Sequence, residues 1–170
     1  MSKNIDENMK MIIEGWGIPD IAELRDKNLK FIFDSNEINS DKLIYQGLLC
    51  GDGTAKFCLY DIDNDEGIFV MDFLEIYGMG FGLDKFEPYI KLMIMNVINP
   101  SYRKKGIATY YLEKLIQYAI KQDIKVIKGY PNPNDEVFKW QSKDNRLEKD
   151  KLKEFYKSKS RSNLKFELIE

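Results

Sequence analysis

The stretch YIKLMIMNVI, residues 89–98, is apolar almost throughout and is followed at once by Asn99-Pro100. A short apolar run bounded by such a turn signal reads as a central strand buried on both faces. It leads into a basic triplet, Arg103, Lys104 and Lys105, then Gly106, and then a helix. Ala108, Leu112, Leu115, Ile116, Ala119 and Ile120 mark one face of that helix at 3.6-residue spacing. A buried strand that turns directly into an amphipathic helix belongs to a layered α/β architecture.

The remaining segments fill in around that unit. Met9, Ile12, Ile13 and Trp16 fall at helical spacing and predict a first helix that stops near Gly17 and Pro19. Ile21, Ala22 and Leu24 predict a short second helix, and Leu29, Phe31 and Phe33 alternate as a strand does. Apolar runs at 43–50 and 55–62, separated by GDGT, predict a hairpin. A third run, 68–77, follows the acidic loop DIDNDEG, and the glycine-rich YGMGFG reads as a turn or bulge. IKVIKGY predicts a strand ended by PNPN, then come a helix carrying Leu152, Phe155 and Tyr156 and an alternating strand, LKFELIE. No repeat or linker divides the 170 residues, so a single domain over 1–170 is expected, α/β (α+β) with a mixed, mostly antiparallel sheet.

Composition removes several kinds of chemistry. There is no histidine, which excludes Ser-His and Cys-His nucleophilic catalysis and the usual zinc sites. Two cysteines, Cys50 and Cys58, lie in apolar surroundings without CxxC spacing and read as buried thiols of a reducing compartment. A net charge of −2 argues against a general nucleic-acid or membrane-surface binder. No apolar run approaches a membrane span and MSKNIDENMK lacks an apolar signal core, so a cytoplasmic protein is expected. Asp61, Asp63 and Asp65 alternate as in a calcium loop, with Asp72 at the twelfth place. The glycine, Gly67, comes one position late and the flanks read as strands, so an acidic hairpin loop is expected and no metal. Chemistry must then rest on carboxylates, tyrosine, lysine, backbone amides or a bound cosubstrate.

The basic turn is the most informative of these features. A helix start exposes N–H groups with no internal partner, and the macrodipole makes that end positive. Adding cations there is unfavourable unless an anion occupies the turn, in which case amides and side chains share one target. Gly106 lets the backbone approach closely, and Ala108 keeps the first helical turn small. The turn therefore suits a pyrophosphate; the plainer alternative is a cluster of solvated surface lysines.

The segment VINPSYRKKGIATYYLEKLIQYA resembles motif A of the GNAT acyltransferase superfamily. There an aliphatic-x-Pro-x-Tyr-Arg unit continues through a glycine-containing turn into a helix, and Ile98, Pro100, Tyr102, Arg103, Gly106 and Ala108 match it. Lys104 stands where the family often has glycine, and the usual Gly-Phe after the tyrosine helix is replaced by SRSNLKF. The connection before that helix resembles a bacterial subgroup with a proline-containing stretch but is longer, which leaves Asn132 and Asn134 without an assigned role.

The resemblance implies a sheet splayed at the motif A strand and acyl transfer from acyl-CoA, most often acetyl-CoA, to a primary amine of a small molecule or peptide. The amides of Lys104, Lys105, Gly106, Ile107 and Ala108, assisted by Arg103, would hold the pyrophosphate, and the strand end at Val97 and Ile98 would pair with the pantetheine arm. Tyr156 occupies the place of the family's general acid. No carboxylate stands on the motif A strand, so Asp72 and Glu75 on the preceding strand are the base candidates, beside a water chain that needs none. A catalytically weak acyl-CoA-binding sensor of the same fold is the alternative function, and a homodimer is compatible with either.

Overall fold

The structure, a computed structural model, describes residues 5–37, 48–51, 53–78, 86–129 and 147–169. Six strands form one sheet in sequential order, β1 (Leu29–Ile32), β2 (Ala55–Asp61), β3 (Glu66–Ile76), β4 (Tyr89–Val97), β5 (Val126–Gly129) and β6 (Lys165–Leu168). The first four strands are antiparallel neighbours, whereas β4, β5 and β6 run parallel. The helices are α1 (Glu7–Trp16), α2 (Ile107–Lys121) and α3 (Lys149–Lys157). This is the mixed open sheet with flanking helices that the sequence predicts.

Each helix is bounded by local chemistry. Asp6 caps α1 by accepting from the Met9 amide at 3.0 Å, and Gly17, at φ +74°, ends it. The short second helix is only a 3₁₀ turn over Ala22–Leu24 that buries Leu24, too brief to carry an apolar face. The acidic loop closes the β2–β3 turn: the Asp61 carboxylate accepts the Asp63 amide at 3.1 Å, the Asn64 amide at 3.2 Å and the Asn64 Nδ2 at 2.7 Å. Residues 43–47 of the predicted hairpin lie outside the described residues. Residues 48–51 do not pair with β2 as a strand: Leu49 bridges Asp34, and Gly51 bridges Ile5 and Thr54. PNPN, with Asn132 and Asn134, also lies outside the described residues.

All three α-helices pack on one face of the sheet. The register aligns Phe57, Met71, Phe73, Ile90, Ile127 and Phe166 on that face. Trp16 of α1 meets Phe57 and Phe73 at 6.1 Å, Tyr111 of α2 stacks on Phe69 at 4.8 Å, and Tyr156 of α3 stacks on Phe166 at 5.6 Å. The parallel connections β4–α2–β5 and β5–α3–β6 step in the same direction across the sheet, and parallel crossovers of one hand place their helices on one face. A smaller apolar cluster of Ile32, Leu48, Cys58, Tyr60 and Val70 occupies the other face, with Ile94 and Ile98 against it.

Tyr111 is the keystone of the helix face: it is fully buried, contacts Phe31, Phe57 and Phe69, and donates its hydroxyl to the Gly17 carbonyl at 3.1 Å. Urea denaturation should show Tyr111→Ala losing about 3–5 kcal/mol through the cavity it leaves. Tyr111→Phe should lose only about 1 kcal/mol, the worth of the single hydrogen bond.

Candidate active site

Strand β4 differs from the expected strand buried on both faces. Against β3 it is paired from Tyr89 to Val97. Against β5 it is paired only at Ile90, Leu92 and the intervening Lys91, facing Ile127, Gly129 and Lys128. Among the described residues, residues 93–97 have no strand neighbour on the β5 side, which leaves a slot between the described parts of β4 and β5. The apolar side chains of β4 accordingly remain half-buried past Leu92, and Met93 is 41% exposed.

The register explains where the slot begins. Asp72 faces Ile94 and Phe73 faces Leu92, so Met93 is an extra residue, a β-bulge on β4. A bulge leaves its residue without a partner and bends the strand, which redirects the backbone away from the ladder. Nothing in the alternation of YIKLMIMNV announces it.

Beyond the slot the chain passes through a 3₁₀ turn, Pro100–Tyr102, capped by Asn99, whose Oδ1 accepts the Ser101 amide at 2.9 Å. Lys104 has φ +61° and Gly106 has φ +96°. Left-handed residues in a turn curl successive amides into a concave nest. Tyr110 is the first residue of α2 whose amide enters the helix ladder, donating to the Gly106 carbonyl at 2.9 Å. The backbone N–H groups of residues 104–109 find no acceptor among the described residues. A Cβ built on Gly106 would meet nothing within 4 Å, so the cradle is open on that side.

The three cations have separate fates. Arg103 is buried and turned inward, its Nε donating to the Val97 carbonyl at 3.0 Å and its Nη2 to the Ile98 carbonyl at 3.1 Å. Lys105 pairs with Glu23 at 3.3 Å. Lys104 is exposed at the lip of the turn. Ile98, expected to pair with the pantetheine arm, already donates its amide to the Ile68 carbonyl at 2.8 Å and lends its carbonyl to Arg103, so its N–H is not available to an arm. Val97 keeps its place at the end of the open edge.

Tyr156 is 5% exposed, between Phe155 and Phe166. Burial pushes its phenol well above the usual range, so it stays protonated at neutral pH, and no described residue accepts its hydroxyl. The two base candidates lie on opposite faces of β3. Asp72, opposite Ile94 at the bulge, is on the face without described helices; it accepts the Thr54 hydroxyl at 3.0 Å, and burial raises its carboxyl above the ordinary value. Glu75, opposite Ile90, is on the helix face, one oxygen accepting from Tyr118 and the other from Tyr77. That hydrogen bond is the main cause pushing the Tyr77 phenol up to about 12. The tyrosine clamp ties β3 to α2, and the sequence pattern carried no sign of it beyond the Glu75–Tyr77 alternation.

Neither cysteine has the environment of a nucleophile. Burial raises the Cys50 thiol to about 11 and the Cys58 thiol to about 12.

Comparisons with known proteins agree with this geometry at the level of the family. No curated protein matches the sequence. Among solved structures, an integron cassette protein from the mobile metagenome of V. cholerae is 16% identical, with a TM-score of 0.42 over 69% of this chain. This chain spans only 60% of that protein's length. An aminoglycoside acetyltransferase from an uncultured soil metagenomic sample, in complex with trehalose, is 12% identical with a TM-score of 0.42, over 92% of this chain and 84% of that one. The same enzyme in complex with sisomicin gives 12% identity and a TM-score of 0.38, over 82% and 79%. The model of the acetyltransferase (GNAT) family matches residues 37–138, from ahead of β2 through the slot, the nest and α2 to beyond β5. That match spans more than half of the chain and includes the strand–turn–helix unit of β4 and α2: the protein belongs to the acetyltransferase (GNAT) family.

Proposed function

We propose that the protein is an N-acetyltransferase that takes its acyl group from acetyl-CoA and passes it to a primary amine. The observation that carries this reading is the run of backbone N–H groups at residues 104–109 without acceptors, beside an open strand edge. A diphosphate supplies oxygen acceptors for such amides, and the α2 dipole and Lys104 add favourable charge. Arg103 holds the strand end rather than reaching for the anion: its guanidinium fixes the Val97 and Ile98 carbonyls and so sets the angle between β4 and the nest. The pantetheine arm, extended like a strand, then adds to the free edge of residues 93–97. Four residues of strand at ~3.3 Å each bring its thioester about 13 Å from the nest, to the Met93 bulge.

The chemistry asked of the protein is modest because a thioester is already activated. The site must orient the amine, keep it neutral and stabilise the developing oxyanion. Backbone N–H groups of β4 around the bulge, released from the ladder, serve the oxyanion. Tyr156, protonated and on the helix face, donates to the departing thiolate. Asp72, on the opposite face, receives the ammonium proton through a bridging water; its burial-raised carboxyl is better matched to that task than an ordinary aspartate. Acid and base thus flank the slot from opposite sides, suiting an amine that enters as the thiolate leaves. Glu75, with both oxygens engaged by tyrosines, is the second base candidate.

Calorimetry should show coenzyme A binding to the wild type and at least tenfold weaker binding to Gly106→Val, about 1.4 kcal/mol, because a branched side chain resists φ +96° and crowds the nest. Absence of heat with the wild type would refute the reading. Tyr156→Phe should retain CoA affinity and lose about 10²-fold in kcat, as expected when a general acid is removed.

Asp72 gives a prediction of opposite sign in stability and activity. A carboxyl whose folded pKa is raised stabilises the fold only while protonated, and that contribution is lost as pH rises through the folded value. Asp72→Asn should therefore melt at or above the wild-type temperature at neutral pH, with the advantage vanishing in acid, while kcat/KM falls.

A further inference from the structure

Thr54 enters the sequence as the last residue of the GDGT turn, and its pattern there assigns it no chemical task. The structure holds that turn from several directions. The Thr54 amide donates to the Gly51 carbonyl at 3.1 Å, which closes the turn. Gly51 bridges Ile5, the Cys50 carbonyl accepts the Asp6 amide at 2.8 Å, and the Cys50 amide donates to the Phe33 carbonyl at 2.7 Å. The start of α1 and the end of β1 thus fix the place from which β2 sets out.

Ala55 faces Phe73 on the helix side, so strand alternation puts Thr54 on the other face, with Lys56 and Asp72. The Thr54 hydroxyl donates to Asp72 Oδ1 at 3.0 Å, and among the described residues it is the single hydrogen-bond donor to that carboxyl. The other groups around Asp72 are few. Lys56 opposes it directly on β2, Ile94 opposes it on β4, and Lys91 stands diagonally on β4 opposite Leu74. The described residues of the turn, 48–51 and 53, bring no charge. Burial disfavours the ionised carboxylate most, while the Thr54 hydroxyl and then Lys56 favour it.

The bond matters because of what an aspartate does without one. Its terminal torsion is broad and two-fold, so a carboxyl with no donor has no fixed direction. A donor on one oxygen holds the plane and leaves the other oxygen aimed at one place. Threonine suits the task, since a β-branched side chain is stiff at χ1. The bond also survives a proton cycle, because Oδ1 accepts from Thr54 whether Oδ2 is bare or protonated.

We propose that Thr54 is a positioning residue of the active site: its hydroxyl fixes Asp72 Oδ1 so that Oδ2 takes the ammonium proton, through the bridging water, beside the Met93 bulge. The inference rests on the acyl-transfer reading for the source of that proton; the hold of Thr54 on the carboxyl stands without it. Because the turn is tied to Ile5 and Asp6, the N-terminal segment takes part in aiming a group that stands on β3.

The test compares Thr54→Val, which removes the hydroxyl at nearly equal volume, with Thr54→Ser, which keeps it. Carbon-13 NMR of protein labelled at the aspartate carboxyl, with Asp72→Asn to assign the signal, reads the titration of Asp72 in the absence of substrate. The midpoint should rise by about one pH unit in Thr54→Val, because a hydrogen bond to the charged form is lost, and return close to wild type in Thr54→Ser. With acetyl-CoA, benzylamine and thiol-release detection, the acid limb of kcat/KM should move up by the same amount in the valine variant alone. Deprotonation of benzylamine itself is common to every variant and cancels in the comparison. A midpoint unmoved in Thr54→Val overturns the proposal, as does a serine variant that behaves like the valine one. A midpoint that moves while the pH profile of an active enzyme stays put also overturns it, since the carboxyl then lies off the path of the proton. A shifted midpoint in a protein that releases no thiol supports the hold of Thr54 on Asp72 and counts against the acyl-transfer reading instead. Thr54 is only half-buried, so neither substitution empties the core.

Discussion

Strand β4 is paired with β3 along its whole length and, among the described residues, with β5 only at its beginning. That asymmetry governs the described part of the molecule. The β3 ladder from Tyr89 to Val97 keeps the strand rigid, while the described parallel ladder to β5 covers Ile90 to Leu92. A strand edge of free backbone groups is normally a liability.

The turn after β4 extends the same arrangement. Asn99 and Pro100 stop the strand, Arg103 clamps its last carbonyls, and the left-handed Lys104 and Gly106 swing the following amides toward one side before α2 begins. The cation cluster is thus not one feature but three: a buried brace, a salt bridge to Glu23 and an exposed charge at the lip. The brace is worth more buried than exposed, because a guanidinium that spans two carbonyls fixes geometry that a solvated side chain would leave loose. The helices support this from one face only. Both crossovers turn the same way, so α2 and α3 share one face, with Tyr111 packed on Phe69 of β3 and Tyr156 on Phe166 of β6. The opposite face is left to Asp72 and to the small apolar cluster.

Most of the scaffold is legible in residue order. The apolar stripe of α2, the stop at Gly17 and the strands at β2, β3, β5 and β6 follow from periodicity and turn chemistry, as does the family from the residues of the strand–turn–helix unit. The second helix shrinks to a 3₁₀ turn because three apolar residues satisfy a helical pattern by chance, and of the 43–50 run only residues 48–50 are described, with Leu49 in a single bridge to Asp34. The site was legible in part. Gly106 and its neighbours are local, so the chain itself shows them. The inward turn of Arg103, the engaged amide of Ile98, the opposed faces of Asp72 and Glu75 and the pairing of Glu75 with Tyr118 all link residues distant in sequence or depend on register.

The sequence by itself determined what short-range physics can decide: where most strands and helices start and stop, the absence of imidazole chemistry, and a basic, glycine-containing turn at the entrance of α2. Only the tertiary structure decided that β4 carries a bulge at Met93 and that, among the described residues, its ladder to β5 covers Ile90 to Leu92. An apolar run looks the same whether it is paired on both edges or one, because side-chain pattern reports faces, whereas the hydrogen-bond partners of a strand are chosen by its neighbours.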